Sequence, residues 1–100
     1  MKRKPVVLAK TYSKRGRLLA RATNSYTQTH PLQAHFARLA GRPGAQFLHA
    51  EIAALIKSEG VVHKITVERY NAAGNPVLAK PCPICMLAIA AWGVKIVEHT

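Results

Sequence analysis

The chain is short of acid, of sulfur and of long apolar runs, and each shortage narrows what it can be. Only four of its 100 residues are acidic, Glu51, Glu59, Glu68 and Glu98. No apolar stretch approaches the roughly 20 residues needed to span a bilayer, so no membrane partner is expected. The basic start, Met1-Lys2-Arg3-Lys4, is not followed by a signal-peptide core, because Lys10 and Lys14 interrupt it. A cytoplasmic location is the expectation that follows. In that compartment the only two cysteines, Cys82 and Cys85, read as a metal or catalytic pair sooner than as a disulfide. There is no internal repeat and no low-complexity segment.

Hydrophobic residues make up 49% of the chain, enough for a real core and too many for a disordered polymer. The length is that of one domain, residues 1–100, with a basic N-terminal segment at 1–5. A chain this short leaves apolar surface to cover, which favours a homo-oligomer. Fifteen lysines and arginines give a net charge of +11, and eight of them fall within the first 21 residues. Such charge can simply face water. It can also draw in an anionic partner, either a nucleotide or a nucleic acid, and charge alone does not separate one phosphate from a strand of them.

Val6-Val7-Leu8-Ala9 and Leu18-Leu19-Ala20 flank Tyr12-Ser13-Lys14-Arg15-Gly16, the pattern of a β-hairpin. Residues 24–31 are polar loop. Leu32, Phe36 and Leu39 recur at helical spacing over 31–40, with Pro31 suited to a first-turn position. Leu48, Ile52, Leu55 and Ile56 form the apolar stripe of a helix over 47–59, with Gly60 as its cap. Ile65 and Val67 alternate with polar residues as in a strand, and 71–76 is rich in turn formers. A third helix spans 83–92, where the apolar residues from Met86 onward read as core, and a last strand spans 94–97. The order β-β-α-α-β-α-β describes an α/β fold, a sheet of about four strands with helices packed on it.

The chemistry gathers at two points. Cys82 and Cys85 are spaced to bind one tetrahedral ion from a single turn, but two thiolates are too few. Of the five histidines, His30, His35, His63 and His99 read as surface or capping residues, whereas His49 stands in His49-Ala50-Glu51. That triplet opens one helix and the cysteines open another, so two positive helix ends can converge and favour thiolates. Three protein ligands leave a fourth zinc position for water, and Glu51 can carry that water's proton. A redox pair would leave His49 and Glu51 idle. A purely structural zinc site would need a fourth ligand, another histidine. Both stand beside the catalytic reading.

His-x-Glu with Pro-Cys-x-x-Cys, here "HAEIAALI" and "PCPICMLAI", resembles the cytidine and deoxycytidylate deaminase superfamily. The similarity runs over most of the chain and is sharp at these two motifs. It implies a three-layer α/β/α sandwich, cytidine deaminase-like and in a minimal version. It also implies Zn2+ held by His49, Cys82 and Cys85, Glu51 as catalytic proton shuttle, and substrate contacts from Asn24, Ala50 and Pro81. Asn24 can equally serve to cap the end of a strand. Histidine as first ligand is unlike the free-cytidine deaminases, and Val77-Leu78-Ala79-Lys80 before the Pro-Cys is unlike the polynucleotide cytosine deaminases. The match to deoxycytidylate-type enzymes is better, and the compact length is similar to that of short phage-encoded members. The usual first helix is reduced to the basic segment and the chain stops soon after its last strand, so a partner subunit is expected to supply pocket walls.

The resemblance therefore implies deamination of a cytosine-containing nucleotide, such as dCMP or CMP, to the uracil form. The alternatives are a deaminase acting on cytosine or adenosine within single-stranded DNA or RNA, and a non-catalytic, zinc-stabilised nucleic-acid-binding module.

Overall fold

In the computed structural model, which describes residues 4–100, the first two strands are β1 (Val6–Tyr12) and β2 (Leu18–Thr23). They pair antiparallel, as the two apolar runs require. Their turn is closed by Ser13, whose carbonyl accepts from the Gly16 N–H at 2.9 Å and whose hydroxyl accepts from the Arg17 N–H at 3.2 Å. Gly16 sits at φ +84°, where a Cβ would be strained, and the register slips between Thr11 and Tyr12 as at a β-bulge. Residues 1–3 of the basic N-terminal segment lie outside the described residues.

Three helices follow in turn: α1 (Pro31–Leu39), α2 (Ala50–Lys57) and, after β3 (Lys64–Tyr70) and β4 (Pro76–Val77), α3 (Pro83–Ala91); β5 (Ile96–His99) ends the order. β1 lies between β2 and β3, antiparallel to both. The far edge of β3 is shared: β4 pairs antiparallel with Arg69 and Tyr70, and β5 pairs parallel from Lys64 to Val67. The parallel pair is reached through α3, the crossover such a pair demands. The chain is thus an α/β fold with five strands in one mixed sheet, one more than the pattern suggested, because Pro76 and Val77 pair where a loop was expected.

One face of the sheet carries the core. Ala9 and Thr11 of β1, Ala22 of β2, and Ile65 and Val67 of β3 are buried, while Lys10, Tyr12, Thr66 and Glu68 of the opposite face are not. α2 packs across β1 and β2. Small residues dominate there, Ala9 and Ala22 below and Ala50, Ala53 and Ala54 above, so the helix approaches the sheet closely. α3 leans on α2 and on α1, with the Phe36 and Trp92 rings 6.2 Å apart. Every residue from Ala50 to Leu55 is buried as a result. The radius of gyration, 13.0 Å, matches the roughly 13 Å of a compact chain of this length. No helix among the described residues is long and apolar enough to cross a membrane.

Several boundaries differ from the sequence expectation, each for a local reason. α2 begins at Ala50 and not at 47, because the preceding residues are held like a strand: Phe47 bridges Thr29, and Leu48 donates to Gln28 O at 2.8 Å. It ends at Lys57, where the Ser58 hydroxyl bonds Ala54 O at 2.7 Å and Thr11 Oγ1 at 2.6 Å. Gly60 lies beyond that end, turning the chain at φ +84°. The last strand is displaced two residues along because Lys95 and Ile96 both donate to His63 O. Met86 and Leu87, read as core, face outward on α3, while Ile84, Cys85, Ala88 and Ile89 are buried.

Ala9 is the tightest test of the close helix–sheet approach. Ala9→Leu is expected to destabilise the protein by about 1–3 kcal/mol through overpacking, read from urea unfolding. Lys10→Leu, on the open face, is expected to change stability by no more than about 0.5 kcal/mol.

Candidate metal centre

Two helix starts meet at one point. His49 is the residue before α2 and Cys82 the residue before α3, both in extended backbone. Serine, threonine, aspartate and asparagine are the usual residues at such positions, with the side chain bonded back to the helix N–H groups. Neither His49 nor Cys82 makes that bond. Their side chains turn instead toward each other and toward Cys85, one turn into α3. His49 Nδ1 lies 3.2 Å from Cys85 Sγ and 3.5 Å from Cys82 Sγ.

All three ligand atoms fall within 4.8 Å of one another. A tetrahedral zinc ion with Zn–S near 2.3 Å and Zn–N near 2.0 Å has ligand–ligand edges of about 3.6–3.8 Å. The donor set fits in kind as well as spacing: two thiols and an imidazole at two positive helix ends. The two sulfurs are also electrostatically coupled. The thiol of Cys85 donating to its neighbour pulls Cys82 down to about 4, with His49 acting in the same direction and burial opposing. Cys85 is pushed up, first by that same bond and then by burial. His49 is raised, chiefly through its bond to Cys82, against its own burial. Two thiolates this close need a cation beside them before both can form.

Glu51 is the second residue of α2 and is buried, 6% exposed. Burial raises its carboxyl above the usual range, while its own backbone N–H, the Cys85 thiol and His49 pull it back. It lines a pocket of about 230 Å³ together with His49, Ala50 and Cys82. The metal ligands and the proton carrier expected from the sequence thus share one cavity.

The pocket's other wall comes from the ends of three strands. Asn24 follows β2, Val7 lies on β1 and Arg69 on β3, and the pairing aligns them in one row. Asn24 Oδ1 accepts from the Val7 N–H at 2.9 Å, and the Asn24 N–H donates to Val7 O at 3.1 Å. Asn24 therefore does fix the strand end, and it also lines the pocket, with its side-chain NH2 left to offer. Arg69 and Lys80 complete the lining with Val7 and Ala79. Pro81 is buried and is not among the lining residues; its neighbour Lys80 is.

Two positioning groups were not legible beforehand. Gln33, fully buried on α1, donates from Nε2 to Ala45 O at 3.1 Å and accepts the His49 N–H on Oε1 at 3.1 Å. It clamps the segment that delivers the histidine. Thr100 accepts the Ala79 N–H on its carbonyl at 2.9 Å and donates from its hydroxyl to Val77 O at 2.7 Å, which pins the approach to Lys80 and Cys82. Of the remaining histidines, His30 caps α1, its Nδ1 accepting from Leu32 N at 3.0 Å.

Neither a protein-family model nor a curated protein matches this chain. The site must be read from its own geometry.

The protein is expected to bind about one zinc ion per chain, measured by metal analysis after gel filtration. Cys85→Ser and His49→Ala should each lose it. Gln33→Leu leaves the His49 N–H and Ala45 carbonyl without their partner, which should cost about 1–3 kcal/mol. It should also weaken zinc binding measurably in competition with a chromogenic chelator.

Proposed function

We propose that the protein is a zinc-dependent deaminase that converts a cytosine-containing nucleotide, of the dCMP or CMP kind, to its uracil form, on a cytidine deaminase-like α/β/α framework. The observation that carries this reading is the convergence of His49, Cys82 and Cys85 beside buried Glu51 in a pocket that also presents two cations. A zinc ion held by the three ligands would supply Lewis-acid activation of water.

The chain's own residues account for the rest. Water adds to C4 of the base, the C4–N bond breaks and ammonia leaves. Glu51 takes the proton that the water gives up, delivers it to N3, and then serves the departing amino group. A carboxyl raised by burial suits both duties, since it accepts and returns a proton at modest cost. The half-enclosed cavity excludes bulk water from the carboxyl and strengthens each polar contact within it. The Asn24 NH2 is a donor for a sugar or base oxygen. Arg69 and Lys80, at the same pocket, offer two positive charges for the nucleotide phosphate.

A redox pair is disfavoured by the company the sulfurs keep, because a dithiol has no use for a histidine nitrogen in contact with both and a buried carboxyl alongside. Zinc-loaded protein given a panel of cytosine, adenine and guanine nucleotides should release ammonia from the cytosine members. Glu51→Gln should lower that rate by about 10²–10⁴-fold while retaining zinc. No ammonia from any nucleotide, with zinc present, would overturn the proposal.

A further inference from the structure

We infer that the base is presented within a single-stranded polynucleotide, held along a groove that leaves the metal pocket and follows the β2 edge of the sheet. The identity of the reacting base rests on the reading above; the groove does not. From Asn24 and His49 a cleft opens past Ser25, Tyr26, Gln46 and Phe47. It joins a trough of about 500 Å³ between the 23–28 segment and Lys57 of α2. Beyond it the surface continues past Arg21 and Lys57 to Arg17 at the hairpin turn. Asn24, His49, Thr23 and Lys57 are each shared by successive parts of this path. Six residues of extended strand run for about 20 Å, far more than one nucleotide needs.

The chemistry along the path suits flanking nucleotides. Tyr26 and Phe47, 42% and 53% exposed, stand next to the metal pocket, where successive bases could stack on them. Tyr26 is held in place: its hydroxyl donates to Pro5 O at 2.6 Å and the Lys4 ammonium sits 4.6 Å over its ring. Phe47 is fixed by the Thr29 bridge of its backbone. Arg17, Arg21 and Lys57 supply charge farther out. The one ion pair among the described residues is Lys64–Glu98, Glu68 accepts from the Tyr70 hydroxyl, and Glu51 lies in the pocket. That leaves Glu59 as the only carboxylate along the path. A free nucleotide would use the inner pocket with Arg69 and Lys80 and have no contact with the aromatics or the outer cations.

The test reads binding without turnover. Zinc-loaded Glu51→Gln protein is titrated into fluorescein-labelled pyrimidine 12-mers, one DNA and one RNA, with the matching duplex and CMP as competitors. A single strand should bind with a log–log salt slope of about −2 or steeper, from three or more phosphate contacts. CMP and duplex should compete poorly. Tyr26→Ala and Phe47→Ala should each weaken binding roughly tenfold, Phe47→Trp should restore it, and Arg21→Gln with Lys57→Gln should flatten the salt slope. Far-UV circular dichroism and zinc content establish that each variant is folded. Binding no tighter than CMP, equal affinity for duplex, or indifference to these substitutions would overturn the groove. So would a change of oligomeric state in the Arg21 variant without loss of strand affinity, which would make this edge an interface between copies. Strand binding without deamination of any base would sink the proposed reaction and leave the groove standing; CMP deamination without strand binding would do the reverse.

Discussion

Two sulfurs and an imidazole nitrogen are brought within 4.8 Å of one another at the mouths of two helices, and much of the fold serves that approach. The sulfurs cannot both ionise side by side unless positive charge is near, so the backbone must bring the helix ends together and hold them there. α2 is set by alanines that let it lie close on β1 and β2. α3 is set against α2 by Ile84, Ala88 and Ile89. The last residues before each helix are then fixed from outside it, His49 by Gln33 and the segment before Cys82 by Thr100. Both residues at the helix starts forgo the capping bond their position normally makes. Local helix stability is given up for the convergence.

The ligand set was legible because its spacing is local. Cys-x-x-C is one helical turn, and His-x-Glu places a ligand just outside a helix and a carboxyl just inside it. Pro31 at the start of α1, the hairpin around Gly16, and the break at Gly93 were legible for the same reason, since each is written in one or two residues. What needed the structure was register. Arg69 looked like the uncertain end of a strand; it lines the pocket only because β1 pairs Val7 with it and Asn24 follows on β2. Gln33 gave no signal in a helix read from its apolar positions, and its role depends on a loop sixteen residues away in sequence.

The misread boundaries share a cause. Residues 47–49 carry helical periodicity, but their backbone groups find strand-like partners in the 25–29 loop, and tertiary hydrogen bonds outweigh a weak propensity. Met86 and Leu87 were read as core because α3 is apolar almost all round. A helix resting on α1 and α2 along one side buries only that side, and periodicity cannot choose a side when every residue is apolar. Their exposure and the open sheet face leave room for the further layer or partner that the proposed framework calls for.

Charge and fold divide the work in space. The basic residues that dominate the composition lie away from the sulfurs, along β2 and the hairpin, while Arg69 and Lys80 alone reach the inner pocket. Everything proposed for the pocket depends on the metal ligands being these three and no others. Zinc K-edge X-ray absorption on the purified, zinc-loaded protein measures that directly. Two sulfurs at about 2.3 Å and two lighter atoms at about 2.0 Å are expected, one of them with the outer-shell scattering of an imidazole. A shell without sulfur, or one filled entirely by sulfur from two chains, would contradict the account.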